Sequence, residues 1–180
     1  MDINSLSDKY LVRELTEKDT EAVFRLCREN TLYYEYCPPF VTTDSIRRDM
    51  RALPPGKKPD DKHYLGFFKG QDLIAVLDLI DGYPNPETAF IGFFMTAVPI
   101  QHQGVGSRII TDVCEALRKQ GYREVRLCRV EGNPQPEAFW RKNGFRETGL
   151  TSKQELYTVI ILRKELSRPT LDKLSAMRYD

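Results

Sequence analysis

A chain of 180 residues is the length of one medium domain, since single cores usually run to about 100–200 residues. Hydrophobic residues make up 41% and charged residues 29%, near the globular average, which argues against both disorder and a membrane protein. With 27 Lys and Arg against 26 Asp and Glu the net charge is +1, too even for nonspecific binding of nucleic acid. No stretch approaches the roughly 20 apolar residues of a bilayer span. The segment MDINSLSDKYLVREL lacks the basic start and apolar core of a secretory signal. The expectation is a cytoplasmic protein with no membrane and no nucleic-acid partner.

Four cysteines, Cys27, Cys37, Cys114 and Cys128, contain no CxxC pair and match no zinc spacing. With His63 and His102 as the only imidazoles, no metal site is expected, and the cysteines read as buried or neutral thiols. A nucleophilic Cys would need a base beside it, and neither His offers such a spacing.

Residues 9–14 read as a short opening strand. Thr16, with Asp19 three residues on, reads as the N-cap of a helix through about Asn30, with Val23, Leu26 and Cys27 at helical spacing. TLYYEYCPPF breaks that helix, because Pro38 and Pro39 cannot continue it. Thr43 or Asp44 caps a second short helix ending near Leu53, and Pro54 to Lys62 is the most loop-like stretch. Two strands, HYLGFF and LIAVLDLI, flank a turn at Lys69–Asp72. A second turn, DGYPNPE, leads into AFIGFFMTAV, residues 89–98, which holds no ionisable side chain and reads as a central strand buried on both faces. From Gly104 to Gln120, Val105, Ile109, Val113, Ala116 and Leu117 recur at helical spacing, with Gly121 as C-cap. A strand from Glu124 to Val130, a Pro-led helix from Pro134 to Asn143 and a last strand, LYTVIILRKEL, complete the pattern. One domain is expected over residues 1–168, with a peripheral tail over 169–180. The fold class is α/β or α+β with one mixed sheet, because the three-strand meander forbids a fully parallel one.

The chemistry concentrates in FMTAVPIQHQGVGSRII, where an apolar strand passes through a glycine-bearing loop directly into a helix. Gly104 and Gly106 let the backbone bend and approach a ligand closely. The first amides of a helix lack intrahelical partners and sit at its positive end, which suits a phosphate or pyrophosphate. Arg108 adds a cation in the first turn. Those two glycines are also what a tight strand-to-helix turn uses. No Lys follows Gly106, so a Walker loop fails, and Ile109 stands where a dinucleotide fingerprint needs its third glycine. The reading that survives is a pyrophosphate held by backbone amides.

At this point the sequence resembles the GNAT family of acyl-CoA-dependent N-acetyltransferases. The family pattern is Arg or Gln, two residues, Gly, one residue, then Gly or Ala; here it is Gln101-His-Gln-Gly104-Val-Gly106. The family's later strand, Asn, small residue, Tyr and Gly-Phe are met by VRLCRV, Asn133, Ala138, Trp140 and Gly144-Phe145. The paired motifs span about residues 89–147, and the element order extends the likeness over about 9–165. The resemblance implies a strongly twisted mixed sheet flanked by helices and splayed between strands 89–98 and 124–130, with acetyl-CoA wedged into the opening. Pantetheine would pair like an added strand with the backbone of Thr96, Ala97 and Val98. The pyrophosphate would sit on amides of Gln103, Gly104, Val105, Gly106, Ser107 and Arg108. Asn133 would contact the pantetheine arm, and Ala138, Trp140 and Arg141 would line the far wall. The implied reaction is transfer of an acetyl group to a primary amine by direct attack in a ternary complex. The acceptor is an unidentified small molecule or peptide, and a homodimer is compatible with such folds. The alternative is an acyl-CoA-binding sensor or regulatory module with little catalysis.

Two departures bear on catalysis. The family's Tyr, which protonates the departing thiolate, is replaced by Trp140, whose indole N–H donates a hydrogen bond but transfers no proton near neutral pH. Trp140 reads more readily as a packing residue. The Glu that some members carry in the central strand is absent, so the base must come from strand ends or the acceptor loop: Asp78, Asp81, Glu87, Glu131 or Tyr34. The thioester carbonyl is expected to be polarised by a backbone N–H near Met95 or Ala97. For the acceptor, Tyr33, Tyr34 and Tyr36 beside Glu35 fit either a grip on a cationic amine or a hydrophobic lid, with Tyr83 as a second wall. His102 in the phosphate loop reads as solvent-facing.

Overall fold

The computed structural model describes residues 1–166. The expected limit at 168 and the tail 169–180 therefore lie outside the described residues. Seven strands form one mixed sheet in the order β1-β2-β3-β4-β5-β7-β6. They are β1 (Leu11–Glu14), β2 (Lys62–Lys69), β3 (Asp72–Ile80), β4 (Thr88–Thr96), β5 (Glu124–Val130), β6 (Arg146–Lys153) and β7 (Thr158–Glu165). β1 to β4 run antiparallel, β4 and β5 are parallel, and β7 inserts antiparallel between β5 and the edge strand β6. The helices are α1 (Thr20–Arg28), α2 (Thr31–Tyr36), α3 (Thr43–Arg51), α4 (Val105–Lys119) and α5 (Pro134–Lys142).

Strand alternation divides the core into two layers. On one face Leu65, Phe67, Leu77, Leu79, Ala89, Ile91, Val125 and Leu127 pack against Ile109, Ile110, Val113 and Leu117 of α4 and Trp140 of α5. On the other face Tyr64, Val76 and Met95 pack against Val23, Leu26 and Cys27 of α1 and Ile46 of α3.

Several expectations change in detail. Thr42, one residue before the expected pair, caps α3, its side chain and that of Ser45 each bonding the other's backbone amide. TLYYEY is not a loop: it forms the single helical stretch α2, because only Pro38 and Pro39 beyond it forbid helix. RETGLTSK is a strand that sequence patterning misses. Nearly every residue of β6 is exposed, and the register slips between Glu147 and Thr151, where Gly149 sits at φ +82°. Tertiary pairing with β7, not alternation, makes it extended.

β4 is central but not buried on both faces along its length. Its pairing with β3 shifts register at Asp78/Leu79, with Gly92 as the extra residue of a bulge. Its pairing with β5 stops at Ile91↔Leu127. Beyond the bulge Gly92 is exposed and Phe93, Phe94 and Thr96 are half-buried. The one-residue slip also exchanges faces: Ile91 points to the α4 layer, Phe93 and Met95 to the α1 layer.

Candidate active site

The divergence of β4 from β5 opens a gap at the carboxyl end of the central strands. Backbone groups there are aimed by the peptide geometry. The Ala97 N–H donates to the Ile74 carbonyl of β3 at 2.9 Å. A trans peptide then turns the Thr96 carbonyl the opposite way, into the gap. Antiparallel alternation places the amides of Phe94 and Thr96 on that same side. This corrects the expectation that Met95 or Ala97 supplies the polarising N–H: both face β3, and the available donors lie one residue away.

Beyond β4 a short 3-10 turn (Val98–Ile100) leads into the glycine loop. Gly104 caps α4 in the left-handed region, φ +79°, which an L side chain adopts only with strain. The Arg108 N–H reaches back to the Gly104 carbonyl at 2.9 Å, leaving the amides of Val105, Gly106 and Ser107 without helical partners. Gly106 answers a different need. A Cβ there would stand 3.3 Å from Phe139 and 3.4 Å from the Thr96 methyl, so the glycine lets the start of α4 pack closely on α5 and the end of β4. The residues thus fit a pyrophosphate and a narrow strand-like arm. Arg108 contributes less charge than expected, because its Nε is 2.9 Å from Asp112. Gln103 turns back to the Pro99 carbonyl, His102 is exposed as expected, and Val98 is exposed beside the gap.

The far wall differs from the resemblance in one respect. Asn133 is buried at the start of α5, where its side chain accepts the Gln135 N–H at 3.1 Å. Ala138 and Arg141 are exposed on α5. Trp140, however, lies in the core with Phe139, Phe145 and Phe94 at centroid distances of 4.9, 5.0 and 6.0 Å. Phe139, which sequence alone marks only as a packing partner, is the aromatic that meets Gly106.

On the opposite face, α2 brings Tyr33 edge-on to Phe93 at 5.8 Å and to Tyr34 at 4.9 Å. Burial first, then the Cys37 thiol for Tyr33 and the Cys27 thiol for Tyr34, hold both tyrosines protonated well above the usual phenol range. At the turn before β7, the neighbouring Cys37 thiol first and burial second push the Tyr157 hydroxyl up to about 12. Neither Tyr157 nor Phe93 stood out in the sequence. Glu35 is exposed, Tyr36 half-buried, and Tyr83 packs on Phe90 at 5.5 Å, apart from the Tyr33 cluster.

The five candidate bases fall in unlike places. Tyr122 hydrogen-bonds Asp81, and Glu87 pairs with Arg123 at 2.8 Å at the sheet end away from the gap. Glu131 is exposed beyond β5. Asp78 is buried in β3 against the Gly92 bulge: a Cβ on Gly92 would stand 2.5 Å from its Oδ2. Lys62 donates to both its oxygens at 2.7 and 2.8 Å. Burial pushes the Asp78 carboxyl up to about 6; Lys62 opposes the rise and Asp49 adds to it. Among the cysteines, burial pushes Cys27 up to about 12 and Cys114 to about 11, while Cys37 is half-buried and Cys128 exposed. No group of side chains among the described residues could hold a metal, and no described helix is long and apolar enough to cross a membrane.

Comparison with solved structures finds the same architecture repeatedly. An acetyltransferase from Thermus thermophilus superposes with TM-score 0.70 at 21% identity, covering 88% of this chain and 97% of that one. The PaiA N-acetyltransferase from Thermoplasma acidophilum, solved in complex with coenzyme A, gives 0.63 at 20% identity over 87% and 98%. The ribosomal-protein-S18-alanine N-acetyltransferase from Escherichia coli gives 0.63 at 13% identity over 89% and 96%. No curated protein sequence matches the chain. The family model described as "Acetyltransferase (GNAT) family" matches residues 23–145, from α1 through the glycine loop to Phe145. The chain therefore belongs to the GNAT acetyltransferase family.

Proposed function

We propose that the protein is an acetyl-CoA-dependent N-acetyltransferase acting on the primary amine of a small molecule or peptide, by direct attack in a ternary complex. The observation that carries this reading is the meeting of three features at one place. These are the gap beyond Ile91, the partnerless first amides of α4, and the close approach of α4 to the end of β4 that Gly106 permits. Bound acetyl-CoA supplies an acetyl group activated as a thioester. The amides from Gln103 to Ser107 hold its pyrophosphate, and the Thr96 carbonyl accepts from the pantetheine arm when one of its two side-chain donors gives way. The Phe94 and Thr96 N–H groups polarise the acetyl carbonyl. Asp78 serves as base, directly or through water, because its raised carboxyl is poised near working pH at the edge of the gap. Tyr33 and Phe93 flank the acceptor. With a thiol pKa of about 8.5, CoA departs as thiolate without a protein acid, so Trp140 in place of Tyr is tolerable.

Calorimetric titration with acetyl-CoA, followed by free-thiol release over a panel of amines, tests this reading. Release with one amine class identifies the acceptor; binding without release across the panel would favour the sensor instead. Asp78→Asn sharpens the test. The carboxylate form is the base, so kcat/KM of the wild type should rise through about pH 6. The variant should lose roughly 100-fold in kcat and its profile should go flat there. An unchanged acidic limb would remove Asp78 from the mechanism.

A further inference from the structure

Asn30 stands between the end of α1 and the start of α2, and three parts of the site meet on its side chain. Its Nδ2 donates to the Leu26 carbonyl at 3.0 Å and to the Thr96 carbonyl at 3.2 Å. Its Oδ1 accepts from Gln101 Nε2 at 2.7 Å, and the same Nε2 donates to the Thr96 carbonyl at 3.1 Å. Gln101 opens the glycine loop; Thr96 ends β4. A carbonyl oxygen has two lone pairs, and here two side-chain amides use both. Yet this oxygen points into the gap, where a strand-like ligand would present an N–H.

We propose that Asn30 is a positioning residue that couples occupancy of the cofactor groove to the acceptor-side helix α2. The inference rests on the acetyl-CoA reading above. A pantetheine N–H that pairs with the Thr96 oxygen displaces one of the two amides. Asn30 gives way, while its 2.7 Å bond to Gln101 keeps it attached to the loop. The displacement reaches α2 through the backbone, because the Asn30 carbonyl accepts the Tyr33 N–H at 3.1 Å at the start of that helix. Tyr33 carries the change to Phe93, against which its ring packs. The cofactor groove and the aromatic acceptor wall lie on opposite faces of the sheet, and Asn30 joins them across the end of β4.

Hydrogen exchange of the α2 amides, with and without CoA, tests the coupling. In the wild type CoA should alter the exchange rate of residues 31–37 by roughly fivefold or more, the low end of coupling between sites. Asn30→Asp keeps the acceptor for Gln101 and removes the donor that serves both Thr96 and Leu26. It should still bind CoA by calorimetry while α2 no longer responds. Gln101→Met, which loses both donated bonds from the loop, should uncouple α2 in the same way and serves if Asn30→Asp is unfolded. An α2 response preserved in a variant that binds CoA, or absent in a wild type that binds CoA, overturns the coupling. Failure of the wild type to bind CoA overturns the cofactor reading itself.

Discussion

Gly106→Leu is expected to weaken acetyl-CoA binding by 100-fold or more, about 2.7 kcal/mol, while the protein stays folded. The reason is space. A Cβ at this position already stands 3.3 Å from the Phe139 ring and 3.4 Å from the Thr96 methyl. The leucine branches must then force the start of α4 away from α5 and the end of β4, shifting the amides of Val105 to Ser107 that the proposed site uses. Gly104 offers the contrast within one motif. A Cβ there meets nothing within 4 Å, but φ is +79°. Gly104→Ala should therefore cost about 1–2 kcal/mol in backbone strain and leave the packing of α4 on α5 unchanged. Calorimetry with acetyl-CoA and urea unfolding of both variants separates the effects. Undiminished affinity in folded Gly106→Leu would sink the assignment of this loop to the pyrophosphate.

Trp140→Ala is expected to destabilise the protein by about 3–5 kcal/mol, because it empties the aromatic cluster that holds α5 on the sheet. The indole is 6% exposed and touches Phe139, Phe145 and Phe94. A side chain so enclosed cannot follow a departing thiolate. Trp140→Phe should accordingly keep turnover within a few-fold while losing about 1 kcal/mol of stability, since most of the packing surface survives. Urea unfolding and steady-state rates on the same preparations decide between packing and chemistry. A loss of 100-fold in kcat by folded Trp140→Phe would mean that the indole acts on the reaction.

Much of the architecture was legible in residue patterns because short-range physics decided it. Val105 to Leu117 carry the period of a helix with one buried face, and α4 runs there. Gly104 and Gly106 announced a sharp entry into that helix, and the structure gives each its own reason. Residues 124–130 alternate between the α4 layer and the opposite face, as β5 does. The spacing of Gln101, Gly104 and Gly106 carried the family likeness before any coordinate did.

What the pattern left open depends on partners distant in sequence. β6 has no apolar face of its own, so only its bonds to β7 make it a strand. The Gly92 bulge appears when β3 and β4 are set side by side, and with it the exchange of faces that sends Phe93 toward Tyr33. Five candidate bases were equivalent as letters; only the packed chain shows that Asp78 is buried against that bulge and bonded to Lys62. Asn30 read as the end of a helix, and nothing local ties it to Gln101, 71 residues away. Most elements and the glycine turn were therefore readable from the letters alone, because they follow from local periodicity and backbone freedom. Which polar groups face the gap, and what they touch, emerged only from the packed chain. Direction and burial are properties of packed neighbours, and no single segment carries them.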